Sequence, residues 1–198
     1  MRSCNLARTC LALLLGVGSL EMGAAAHAQE PDRNHYISGY AALGGGGDAR
    51  GDNGFGSFDL NPTGGIGARY EYGILDVLTV GAAVEWTNWG GKDRNHFIDI
   101  SPIVRGRHTL AVGDFALELH LSFLVGLTIA PLDDNVSDDG GIGINLGGFV
   151  GGTFFVTDQI GILAEIGIQY HRISADSGGD FTLKTTQLMS HLGVVIAI

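Results

Sequence analysis

The chain ends on "HLGVVIAI" (His191–Ile198), an apolar alternation carried to the last residue. Counting back, Ile198, Ile196, Val194, Leu192, Ser190 and Leu188 share one parity, and Ala197, Val195, Gly193, His191, Met189 and Gln187 share the other. A strand sends alternate side chains to opposite faces, so this segment has one bulky aliphatic face and one small or polar face.

The same pattern recurs upstream, and no segment shows a helical period. Ile66, Ala68, Tyr70 and Tyr72 oppose Gly65, Gly67, Arg69 and Glu71. Leu78, Val80, Ala82, Val84 and Trp86 oppose Thr79, Gly81, Ala83, Glu85 and Thr87. Ile98, Ile100, Pro102 and Val104 oppose Asp99, Ser101 and Arg105, with Ile103 breaking the pattern. Leu117 to Ile129 opposes Glu118, His120, Ser122, Leu124, Gly126 and Thr128. Two further strands follow around Ile142–Phe154 and Ile160–Tyr170, and the last begins near Leu183. A first strand, "HYISGYAALG", mixes aliphatic and tyrosine parities, so its facing stays open.

Connectors alternate strictly. Short ones lie around Gly73–Asp76, His108–Asp114 and Val156–Gln159, whereas long Gly/Asp-rich ones follow the first, third, fifth and seventh strands. Such alternation describes an antiparallel meander with two distinct ends, and eight strands can close into a barrel.

Composition sets the compartment. Arg2 and Arg8 precede the short apolar run Leu11–Leu20, and Ala26-His27-Ala28 is a small-residue cleavage site, so residues 1–28 read as a signal peptide and 29–198 as one barrel domain. Cleavage after Ala26 satisfies the same rule. Both cysteines, Cys4 and Cys10, fall in the signal, leaving no disulfide or thiolate chemistry. Removing the signal takes the formal charge from −10 to −11, a surface that repels nucleic acid.

Alternation alone does not say which face is inside. Three features assign the aliphatic face to lipid. The strands are long enough to cross a bilayer at a tilt. The opposite face carries Arg69, Glu71, Glu85, Asp99, Arg105, Glu118, His120 and Glu165, and no Lys, too many ionisable groups for it to be the solvent face of a protein whose other face is so uniformly aliphatic. Aromatics on the aliphatic face gather near strand ends, with Tyr70, Tyr72 and Phe154 by the short turns and Trp86 and Tyr170 by the long loops, as two interfacial girdles would. The fold class is therefore all-β: a closed antiparallel up-and-down transmembrane β-barrel of eight strands.

In this architecture the sequence resembles the small eight-stranded outer-membrane barrels of the OmpA/OmpX type, over about Arg33 to Ile198. Its most specific piece is the C-terminal stretch. His191, Gly193, Ile196 and Ile198 resemble the β-signal read by the barrel-assembly machinery, although that family most often ends on an aromatic residue and this chain ends on Ile198. The resemblance implies an integral protein of a Gram-negative outer membrane, with periplasmic termini and extracellular long loops. It implies no peptidoglycan-binding domain. Its partners would be outer-membrane lipid and lipopolysaccharide, with assembly machinery and periplasmic chaperones in transit. The loop partner is not named by the sequence.

Eight strands enclose a lumen that side chains fill, and charges there need partners. Arg69, Glu71, Arg105, Glu118 and Glu165 lie near the short-turn end of their strands, which predicts a lumenal ion-pair network. Glu85 and Asp99, nearer the loops, are expected to share a proton or to pair with Lys92 or Arg94. Glu118-x-His120-x-Ser122 puts a carboxylate, an imidazole and a hydroxyl on one face and partly resembles the His-x-Ser pair of lipid A deacylases, but that row points into the lumen and the next strand offers no acid. Arg50-Gly51-Asp52 reads as a chance adhesive tripeptide, and Asp133, Asp134, Asp138 and Asp139 as an acidic loop without EF-hand spacing. No catalytic residue, metal or cofactor is expected. The reading is a structural or surface-interaction protein, with a narrow solute channel as the first alternative and a lipid A-modifying enzyme as the second.

Overall fold

The computed structural model describes residues 34–51, 57–59, 63–89, 96–113, 115–130, 140–176 and 180–198. Residues 1–28, read above as a signal peptide, Asp52, Lys92, Arg94 and the third-loop aspartates lie outside them. The strands are β1 (His35–Gly51), β2 (Ser57–Asp59), β3 (Thr63–Leu75), β4 (Leu78–Trp89), β5 (His96–Val112), β6 (Phe115–Ala130), β7 (Gly141–Phe155), β8 (Ile160–Asp176) and β9 (Asp180–Ala197). Eight of them, β1 and β3 to β9, pair antiparallel in chain order, and β9 pairs back with β1. The short β2 pairs only with Asp48–Arg50 of β1 and adds no stave to the barrel.

Closure is staggered. Stepping across hydrogen-bonded partners from Tyr36 through Glu71, Gly81, Ile103, Leu124, Gly147, Gln169 and Gln187 returns to Gly47, well up the strand where the path began. That shear tilts the strands against the barrel axis and holds the cross-section to the size eight strands allow. The seam also uses the chain's last residue: His35 N donates to Ile198 O at 3.1 Å and Ile198 N to His35 O at 2.9 Å.

Burial separates the two parities around the circumference. On β6, Glu118, His120, Ser122, Leu124 and Thr128 are buried, while Phe123, Val125 and Leu127 are each more than half exposed, at 58%, 55% and 58%. A continuous outer surface of Leu, Ile, Val and Phe has no place in water, and its only favourable solvent is hydrocarbon. The chain is a transmembrane barrel. The first strand, undecided by pattern, turns Tyr36, Ser38, Tyr40 and Ala42 inward and Ile37 and Leu43 outward.

Strands run further than the apolar alternation indicates. The segment His108–Val112, read above as part of a turn, continues β5, and only Gly113-Asp114 separate the Val112↔Phe115 pair. Gly113 has φ +64°, the left-handed geometry a two-residue hairpin demands. At the other end β1 carries its ladder through Gly44–Gly47 to Gly51, and β9 begins at Asp180 instead of near Leu183. The physical reason is that backbone pairing continues where the outer side chains leave lipid, so polarity marks the membrane edge and not the strand end.

Glycines in the ladder make room for large lumenal side chains. Tyr40 is paired on one side with Gly67 and on the other with Gly193. A Cβ on Gly67 would stand 2.3 Å from the Tyr40 ring, and one on Gly193 would stand 2.6 Å from its Cβ. Gly193, read above as part of an assembly signal, has a packing role in the structure.

Candidate functional site

The lumen holds two polar clusters with apolar packing between and beside them. Near the short turns, Glu165 of β8 is the hub. Its Oε2 accepts from Arg69 Nη1 at 2.7 Å and its Oε1 from Arg105 Nη2 at 2.9 Å, while Arg105 Nη1 also lies 3.2 Å from Glu71 Oε1. Thr79 Oγ1 donates to the other oxygen of Glu71 at 2.8 Å. His120 Nε2 stands 2.8 Å from Glu165 Oε1. Glycine at the cross-strand partner position, Gly151, leaves the space in which the Glu165 side chain runs; a Cβ there would lie 2.8 Å from Glu165 Cγ.

Arg69, Glu71, Arg105 and Glu165 thus come together. Glu118 takes a different partner, because Arg107 Nη1 donates to its Oε2 at 3.2 Å. Arg107 was not singled out in the sequence; its guanidinium lies 4.6 Å from the Tyr36 ring centroid, a cation–π contact. Both guanidinium groups of the hub are buried with their carboxylates, the arrangement in which charge costs least away from water.

Glu85 and Asp99 are direct cross-strand partners, yet each finds a histidine. His191 Nδ1 lies 2.8 Å from Arg69 Nη2 and 3.2 Å from Glu165 Oε2, and its Nε2 lies 3.2 Å from Glu85 Oε2. Asp99 Oδ2 is 2.9 Å from His171 Nε2 and accepts from Gln169 Nε2 at 3.2 Å. Its other oxygen accepts from Asn145 Nδ2 at 3.0 Å and from the Thr128 hydroxyl. With the imidazole proton on Nε2, His171 Nδ1 accepts from Thr185 Oγ1 at 3.3 Å. The expectation that Glu85 and Asp99 share a proton is replaced by two carboxylate–imidazole pairs, because β8 and β9 bring His171 and His191 across a narrow lumen. Lys92 and Arg94 lie outside the described residues.

Between these clusters sit Ile103, Leu124, Phe149 and Met189, all buried, with the Phe149 ring stacked 4.5 Å from that of His191 and Arg69 4.5 Å over Tyr40. Ser122 is committed as well, since its Oγ accepts from Arg105 Nε at 2.9 Å. Among the described residues no group of three or more His, Cys, Asp or Glu is arranged to hold a metal ion.

The remaining residues singled out in the sequence face outward. Tyr70, Tyr72, Trp86 and Phe154 are exposed and Tyr170 half-buried, all on the lipid side. Ile196 and Ile198 are exposed on the same side, whereas His191 belongs to the lumenal network. Its parity with Gln187 and Met189 was the signal that could have placed it there.

Comparison with one solved structure gives the fold. Neisserial surface protein A (NspA) matches with a TM-score of 0.54 at 17% identity, covering 83% of this chain and 97% of that one. The fold is that of the small eight-stranded outer-membrane barrels. OprG of Pseudomonas aeruginosa matches at 13% identity with a TM-score of 0.43, over 84% of this chain and 96% of that one. Ail, the attachment invasion locus protein of Yersinia pestis, matches at 14% with a TM-score of 0.37, over 81% and 99%. No protein-family model matches the chain, and no curated protein matches it significantly.

Proposed function

We propose that this protein is a closed, non-conducting barrel of the Gram-negative outer membrane, with short turns in the periplasm, and that it acts as a structural or surface-interaction element through its long loops. The observation that carries this reading is the filled lumen. Arg69, Arg105, Glu165, His120 and His191 bind one another across it, and Tyr40, Ile103, Leu124, Phe149 and Met189 pack against them. A solute path would have to break several buried ion pairs at once, each costing roughly 3–5 kcal/mol when one partner is removed.

The same packing speaks against catalysis. Glu118, His120 and Ser122 share a face, but His120 is held by Glu165 and the Ser122 hydroxyl by Arg105. The row Thr185–His171–Asp99 has the connectivity of a hydroxyl, base and acid, yet its exposures are 1%, 1% and 2%, so no acyl substrate reaches the hydroxyl.

The test is planar-bilayer recording of the refolded protein. Silence is the expected result. Discrete ionic steps that change on Arg69→Gln or Arg105→Gln substitution would overturn the non-conducting assignment in favour of a channel.

A further inference from the structure

The outer surface of β8, β9 and β1 changes character in three successive rows toward the long loops. The first is apolar, with Ile168 partnered by Leu188 and Leu188 by Gly45. The second is interfacial: Tyr170, Thr186 and Asp48. The third is cationic: Arg172 is the direct partner of Lys184, and Lys184 of Arg50. Arg172 and Arg50 are exposed and Lys184 is half-buried between the buried Leu183 and Thr185, so the row points out of the barrel.

Of the lysines and arginines among the described residues, Arg69, Arg105 and Arg107 occupy the lumen and the other three make up this row. Chance does not favour that in a chain of net charge −10. Like charges directly opposite one another in a sheet are destabilising. Asp48 is exposed on the same face, one row nearer the lipid. Strands about 4.8 Å apart make the row roughly 10 Å wide, and long basic stems lying over an apolar belt deliver their charges to headgroup depth.

We infer that Arg172, Lys184 and Arg50 form a binding site for the phosphate groups of a lipid headgroup, directly above the hydrocarbon belt. This rests on the topology proposed above. With the long loops outside, the leaflet at this level is lipopolysaccharide, and the ligand is its phosphorylated lipid A. Arg172 supplies a planar fork for phosphate oxygens and Lys184 a compact ammonium beside it.

The experiment is native mass spectrometry of the full mature barrel in detergent, titrated with bis-phosphorylated lipid A or with the same lipid dephosphorylated. The phosphorylated form is expected to bind about tenfold or more tightly, and an Arg172→Gln/Lys184→Gln variant to lose that preference. A Lys92→Gln/Arg94→Gln variant changes net charge equally and is expected to keep it. Heat-dependent gel mobility confirms that each variant is folded. Equal binding of both lipids, or equal loss in the two variants, overturns the site. A Ser174→Cys variant, the only cysteine of the mature chain, reads topology separately. Labelling by an impermeant maleimide on intact cells is expected; unlabelled cells would overturn the outer-leaflet assignment even with phosphate selectivity intact.

Discussion

Arg69 and Glu165 meet at 2.7 Å across the lumen, from strands β3 and β8 that are not neighbours in the sheet. Each is buried, and each has a second partner on a third strand: His191 on β9 for Arg69, and Arg105 on β5 for Glu165. The pair therefore ties opposite walls of the barrel together, which the backbone ladder by itself does not do.

Glu165→Ala is expected to be the most damaging lumenal substitution. It leaves Arg69 and Arg105 buried together with Glu71 as their remaining nearby carboxylate, at a cost of roughly 3–5 kcal/mol. Urea unfolding in lipid vesicles measures it. A triple exchange of Arg69, Arg105 and Glu165 to Met, Met and Leu is expected to recover much of the loss; failure to recover would mean that specific ion-pair geometry, and not uncompensated charge, dominates.

Gly67→Val and Gly39→Val separate packing from backbone preference. The first drives a side chain into the Tyr40 ring and is expected to cost about 1–3 kcal/mol, whereas Gly39 has nothing within 4 Å of an added Cβ. Comparable unfolding midpoints for the two would contradict the contact described between Tyr40 and β3.

Phe123→Arg places a charge on the outer face of β6, midway along its apolar row, and is expected to destabilise by about 2–4 kcal/mol in a bilayer. The same exchange at Ile129, at the loop end of that row, is expected to cost less. If Phe123→Arg were neutral, the assignment of the aliphatic parity to lipid would fail.

Ser122→Ala removes the hydroxyl that accepts from Arg105 Nε and is expected to leave the lipid A mass profile of expressing cells unchanged. A lipid A species that disappears with this substitution would establish catalysis.

The two-faced strands and their lipid-facing parity were legible residue by residue, because side-chain direction in a strand depends only on the parity of sequence position. For the same reason Arg69, Glu71, Arg105 and Glu165 could be assigned to one polar face before any contact was seen. The histidine partners could not. Parity puts His171 and His191 on the lumenal side, but the choice of Glu85 for His191 and Asp99 for His171 depends on the stagger of the closed sheet, which brings distant strands to one level.

Strand ends were read too short, since outer-face polarity reports where lipid stops and hydrogen bonding continues beyond it. Gly193 shows the same division in one residue. In sequence it is a small position in the terminal strand, and only the structure shows the Tyr40 ring system seated between it and Gly67. What the sequence by itself determined was the period, the face and the order of the strands, all local properties of a pleated chain. What only the tertiary structure decided was pairing across the lumen and the alignment of Arg172, Lys184 and Arg50 in one row, because both follow from register, a relation between segments far apart in the chain.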